Sequence, residues 1–278
     1  MSGRPGPTPL GEGAKPAAGS CPPLFDAQIQ AGALSGGDCE DLAFFGVEGA
    51  VLVSGDDLPR QSAQEVLAFF DRLGRDAAPR LKRAGIAPFV ALGVHPSRLP
   101  ERGLAEVLAK LPSLFEAARV VAIGTIGLED GGAVEEEAFL RQLEVAQQVA
   151  RPVLVHTPER EKLRLTRRIL ALLKESGLPP ERAMIGQVSA ATLRLARECG
   201  HIACLSVHPA RLSPEEAVAL VRKQGSTDLV LASNAGTGAG DLLALPRTAM
   251  LLQKGGLGDE IVRRVCRENA QDFFGIDR

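Results

Sequence analysis

Between Leu24 and Ser233 eight short apolar runs alternate with stretches of helical spacing. The runs are Leu24–Gln30, Ala50–Ser54, Pro88–Val94, Val120–Ile126, Pro152–His156, Ala183–Val188, His201–Val207 and Asp228–Ser233. Near-continuous apolar runs suit parallel strands covered on both faces. Eight such strands alternating with helices in 278 residues predict an α/β chain, a (β/α)8 TIM barrel forming one domain over 24–278. A doubly wound open sheet is the alternative.

The helical stretches carry their own punctuation. Ser62–Ala84 has apolar residues at helical spacing, with a break expected at Gly74 and Pro79 beyond it. Glu101–Ala118 aligns Leu104, Val107, Leu108 and Leu111 on one side. Val134–Ala150 is acidic in its first turn, as the helix dipole favours. Glu161–Ser176 and Ala190–Cys199 each end at a glycine suited to a C-cap. Ser213, Pro214 and Glu216 spell a capping box opening the next helix. Leu243–Lys254 and Gly258–Asn269 close the chain.

Active sites of such barrels lie at the C-terminal ends of the strands. That rule selects Asp26, Gln28 and Gln30 on the first strand, which alternation would place on one side. It also selects Ser54, Asp56 and Asp57, then His95, Thr125, His156, Gln187, His208, and finally Ser233 and Asn234. Three of the four histidines therefore stand at strand ends. Each also has a structural reading, as a ring hydrogen-bonded to a loop carbonyl. His201 begins a strand on the opposite face and reads as structural. The loop "AGTGAGD" has small residues able to expose backbone N–H groups, but neither the Walker nor the Rossmann spacing. It reads as a plain loop.

Composition narrows the class. A formal charge of -2 gives no argument for general binding to nucleic acid or membrane. Trp and Tyr are absent, which removes the usual platforms for stacking bases. Residues 1–23 are rich in Pro and Gly and lack an apolar h-region, so they read as a disordered tail rather than a signal peptide. Five cysteines without a CxxC fit reduced thiols in a cytoplasmic protein. Cys199 and Cys204 flank a strand start and are expected in the core. "REKLRLTRR", with Arg160, Lys162, Arg164, Arg167 and Arg168, offers a basic groove or a solvated helix face.

The segments "VALGVHP", "VVAIGTIGLE", "PVLVHTP", "LSPEEAVALV" and "ENAQDFFGI" stand in an order and spacing that resemble the TatD-like metal-dependent hydrolases of the amidohydrolase superfamily. The resemblance runs from about Leu24 to the C-terminus. It implies a barrel with two divalent metals. The family's first-strand His-x-His falls on Gln28 and Gln30, its bridging Glu on Thr125 and its fifth-strand His on His156. Its sixth-strand His falls on Gln187, and the Asp that holds metal and activates water falls on Asn234.

Five of six expected ligands are thus replaced by neutral side chains. Zinc and related ions favour imidazole, thiolate and carboxylate donors. A neutral amide brings no charge, and Asn is no base at neutral pH. The resemblance as altered here implies a catalytically impaired pseudoenzyme without metal cofactor, binding a small molecule or a protein partner at the barrel mouth. The expected binding residues are Asp26, Gln28, Gln30, His95, Thr125, His156, Gln187, His208 and Asn234. One alternative is an active phosphodiesterase or deoxyribonuclease with a remodelled or single zinc-like centre. It would draw on Asp26, His95, His156, His208, Asp56, Asp57 and Glu129, or use His156 with Asp26 as a metal-free acid/base pair. A scaffold protein is the other alternative. Nucleic acid enters as a partner only through the resemblance, and no membrane partner is expected.

Overall fold

In a computed structural model the described residues are 22–277 except Ala31, Asp56, Ala118 and Ala239. The tail expected over 1–23 therefore lies outside the described residues apart from Pro22 and Pro23, and so do Cys21 and the candidate Asp56. Eight parallel strands follow one another in a single sheet in chain order: β1 Leu24–Ile29, β2 Val47–Val53, β3 Ala87–Leu92, β4 Val120–Gly127, β5 Val153–His156, β6 Ala183–Ile185, β7 Ile202–Ser206 and β8 Leu229–Ala232. The sheet curls into a barrel. At the rim beyond β8, the Asn234 N–H donates to Gln28 O at 3.0 Å and the Gln30 N–H donates to Ala235 O at 2.8 Å. The open doubly wound alternative is thereby set aside.

Two cores result. Phe25, Ala27, Val51, Leu154, Met184 and Val230 belong to the cluster filling the barrel. Leu24, Ile29, Leu52, Ile123, Leu143 and Leu173 belong to the layer between strands and helices. Each such large side chain contributes roughly 1.5–3 kcal/mol on burial, which together drives closure.

The helices are α1 Gly36–Phe44, α2 Ala63–Arg72, α3 Ala78–Arg83, α4 Leu104–Leu114, α5 Ala133–Gln148, α6 Lys162–Ser176, α7 Ala190–Glu198, α8 Pro214–Gln224, α9 Ala244–Lys254, α10 Asp259–Arg263 and α11 Asn269–Phe274. Helix α1 is absent from the sequence expectations because Gly36 and Gly37 weaken its propensity. Its N-terminus is instead fixed by a capping box of Ser35 and Asp38. The expected break at Gly74 is a π-helical turn, Leu73–Ala77, joining α2 to α3. There Ala78 N–H reaches Leu73 O, and the widened turn accommodates Pro79. A second π turn, Arg264–Glu268, joins α10 to α11. The Ser213–Glu216 box forms as expected at α8. Cys204 is buried, but Cys199 caps the exposed end of α7 and is not a core residue, as Gly200 turns the chain there. Among the described residues, no helix is long and apolar enough to cross a membrane.

Candidate functional site

The mouth of the barrel holds a cavity of about 220 Å³. Seven expected residues line it: Gln28, Gln30, His95, Thr125, His156, Gln187 and Asn234. Two bulges help put them there. The register of β1 against β2 shifts between Asp26 and Ile29, and that of β4 against β5 shifts between Ile123 and Ile126. Phe25 and Ala27 point into the barrel, so strict alternation would send Gln28 outward. The shift turns Gln28 into the mouth instead.

The same shift separates Asp26 from the two glutamines, so the three do not share a side. Asp26 is fully buried behind the cavity wall, where it accepts hydrogen bonds from the Ser233 hydroxyl, from Ser233 N–H at 3.1 Å and from Gln28 N–H at 3.2 Å. It ties the end of β8 to β1 where the two strands lack a regular ladder. Burial pushes its pKa from 3.8 up to about 6, against the three hydrogen bonds that lower it.

His208 also stays out of the cavity lining. Its Nδ1 accepts from Ala210 N–H at 3.2 Å and its Nε2–H donates to Thr237 O at 3.3 Å, pinning the loop after β7 to the loop after β8. His201 is structural, with Nδ1 against Pro180 O at 2.9 Å. Asp57 lies close to the backbone, its carboxylate accepting from Gly55 N–H at 3.3 Å.

His156 sits at the centre of the cavity wall. Its Nε2 lies 2.7 Å from Glu129 Oε2. The Gln187 amide, in the orientation that satisfies both of its ends, donates to His156 Nδ1 at 3.1 Å and to Thr157 O at 2.8 Å. Its oxygen accepts from the Arg211 guanidinium at 2.9 Å. In this network His156 donates through Nε2–H to Glu129, and the Gln187 amide occupies its Nδ1. The expected partnership of His156 with Asp26 does not form, since Asp26 is engaged by Ser233. The hydrogen bond from His156, more than any other influence, holds the Glu129 carboxyl below its usual range.

His95 packs edge-on against His156 with ring centroids 4.4 Å apart. Its Nδ1 accepts from Ser97 N–H at 3.3 Å, which leaves Nε2–H to face the cavity. Burial, with the nearby His156, Arg211 and Arg98, pushes its pKa well below 6.5, so this ring is neutral. Thr125 donates its hydroxyl to Ser54 O at 2.8 Å. Ser54 in turn joins three strand ends, its hydroxyl lying 2.6 Å from Gly93 O and 3.2 Å from Gly124 O.

Sequence reasoning missed Arg211 and Glu159, which line the same cavity with Arg211 Nε 3.2 Å from Glu159 Oε1. Arg211 follows the β7 end by a few residues, so the strand-end rule applied further into each loop would have reached it. Gln187 and Asn234 both adopt left-handed backbone, at φ 56° and 50°. Such conformations in non-glycine residues concentrate at functional rims. The basic α6 stretch has partners: Arg164 pairs with Glu161, Arg168 with Glu136 and Lys162 with Glu159. This fits a solvated face.

The donors present do not suit a pair of divalent ions. The positions that the resemblance matches to metal ligands hold three glutamines, a threonine, an asparagine and one imidazole, and that imidazole's nitrogens are both in use. Among the described residues, no group of three or more His, Cys, Asp or Glu is arranged to hold a metal ion.

A family model, "TatD related DNase", matches residues 75–186. An uncharacterized metal-dependent hydrolase of Methanocaldococcus jannaschii is 30% identical over 255 residues, covering 91% of this chain and 100% of that protein. The crystal structure of a TatD-like protein from Archaeoglobus fulgidus superposes with a TM-score of 0.76 at 25% identity, over 91% of this chain and 100% of the other. A phosphotriesterase homology protein from Escherichia coli, solved with phosphate in its active site, gives 0.69 at 18% identity, over 91% and 98%, a likeness of fold. The chain therefore belongs to the TatD-like family of metal-dependent hydrolases.

Proposed function

We propose that this chain is a TatD-like barrel that binds a small molecule at its mouth and does not hydrolyse through a two-metal centre. One observation carries the reading. The side-chain amides of Gln28 and Asn234, 2% and 6% exposed, line the cavity with no hydrogen-bond partner among the described residues. Polar groups on such a wall are normally paired, so these amides are satisfied by whatever fills the cavity. Two such groups opening into one cavity fit a site kept for a ligand, with water holding their place in its absence. The neutral donor set and the occupied His156 nitrogens support the second half of the proposal.

The test is the metal content of purified, tag-free protein by inductively coupled plasma mass spectrometry, after incubation with zinc and manganese and desalting. Less than about one-tenth of an ion per chain is expected, since amides and a hydrogen-bonded imidazole bind these ions weakly. One or two retained ions per chain, with phosphodiester hydrolysis that needs them, would overturn the proposal.

The Glu129–His156 contact favours a second reading, a hydrolase with a remodelled centre in which the carboxylate orients the imidazole as a base. The Gln187 amide on Nδ1 opposes it. An activity on model phosphodiesters that disappears in His156→Ala and rises in Gln187→Ala would favour this second reading.

A further inference from the structure

The groups that line the mouth divide into those already engaged and those left open. The Glu129 carboxylate is held by His156, and Arg211 is held by Glu159 and by the Gln187 oxygen. The open groups are of another kind. The Gln28 and Asn234 amides each offer an N–H donor beside a C=O acceptor. His95 offers one N–H, because Ser97 occupies its other nitrogen. Two carboxylates and one guanidinium border the space. A ligand carboxylate or phosphate would meet Glu129 and Glu159 with no uncommitted cation, unless Arg211 gave up both of its partners. Desolvating an unpaired charge costs far more than desolvating an amide that finds partners. At about 220 Å³ the cavity has room for one small ring rather than a polymer segment.

We propose that the mouth recognises an uncharged small molecule through an edge that places an N–H donor beside a C=O acceptor, the chemistry of a lactam, an imide or a ureide. The Gln28 and Asn234 amides complement that edge, and His95 Nε2–H takes a second carbonyl. The backbone hydrogen bond from Asn234 N–H to Gln28 O, 3.0 Å, holds the two residues at adjoining strand ends, and both line the one cavity. The inference rests on the small-molecule reading above and specifies its ligand.

The experiment uses two probe pairs that share a ring and differ by a carboxylate: uracil with orotate, and 2-pyrrolidone with pyroglutamate. Binding is measured by ligand-observed NMR and by calorimetry, up to about 10 mM because fragments this small bind in the millimolar range. The neutral member of at least one pair is expected to bind at least roughly tenfold more tightly than its carboxylate. Gln28→Met is expected to weaken that binding by about tenfold or more, and to leave the melting temperature nearly unchanged because the Gln28 amide faces the cavity and holds no other group among the described residues.

Tighter binding of orotate and pyroglutamate would overturn the uncharged class while leaving a small-molecule site in place. No binding by any of the four probes would overturn the inference, and the metal measurement would then decide the broader reading separately. A large loss of stability in Gln28→Met would show that this amide is structurally committed, and would overturn the inference as well.

Discussion

Asp26 gives the fold a measurable pH dependence. Its carboxylate lies fully buried at the seam between β1 and β8, and burial raises its pKa from 3.8 to about 6. A folded-state pKa above the unfolded value means that the folded chain holds the proton more tightly. The associated stability is fully present below about pH 3.8 and is lost as pH rises through about 6. The shift corresponds to about 3 kcal/mol at 1.36 kcal/mol per pH unit. Asn at this position mimics the protonated acid. Its oxygen accepts from the Ser233 and Gln28 N–H groups, and its NH2 donates to Ser233 Oγ. Urea unfolding of the parent and of Asp26→Asn between pH 4 and pH 7 isolates the effect, because other titrating groups cancel in the difference. The stability of Asp26→Asn relative to the parent should rise by about 2.4 kcal/mol across that range, the remainder of the linkage already being lost at pH 4. Parallel profiles would refute the reasoning, for they would mean that Asp26 titrates alike in the folded and unfolded chain. A relative fall would mean that its hydrogen bonds outweigh its burial.

Two further substitutions probe what positions the site. Ser54→Ala removes the hydroxyl shared between Gly93 and Gly124 and should cost about 1–3 kcal/mol, read as a lower urea midpoint with an unchanged slope. Glu135 accepts from the N–H groups of Glu129, Asp130 and Gly131 at 2.9–3.0 Å, so Glu135→Ala should release the loop carrying Glu129. The expected cost is about 1–2 kcal/mol, with faster amide hydrogen exchange at residues 129–131.

How much of this was legible in the sequence depended on the range of the interaction involved. The eight strands were readable because a doubly covered strand must be apolar along its whole length, as "AVLV" and "VLVH" are. Helix α1 was not, because its support comes from a cap and from packing of Cys39 and Leu42, while Gly36 and Gly37 argue against it locally. The strand-end rule found seven of the cavity residues without any structure. It failed for Asp26, where a bulge breaks the period of two that the rule assumes. It failed for His208, whose two ring nitrogens meet loop groups that only the fold brings near. The pairing of His156 with Glu129 spans 27 residues and depends on where the chain turns after β4, which no local pattern encodes.

The same geometry predicts that the family's metal chemistry does not return one carboxylate at a time. Thr125 and Asn234 stand where the resemblance places the bridging and water-activating carboxylates, and both face a cavity that already holds ionised Glu129. Thr125→Glu with Asn234→Asp would crowd further negative charge into a space with one committed guanidinium. Like charges this near, partly desolvated, cost several kcal/mol or force a carboxyl to keep its proton. The double variant should therefore melt well below the parent at pH 7 and recover as pH falls. Zinc or manganese should rescue it only when Gln28, Gln30 and Gln187 also become histidine, since carboxylates alone leave the His156 nitrogens hydrogen-bonded. Thermal melts of the double and the fivefold variants, with and without metal, separate the outcomes. A double variant as stable as the parent at pH 7 would sink the electrostatic argument. Full metal rescue of the double variant would show that the amides in this mouth were never what kept the ions out.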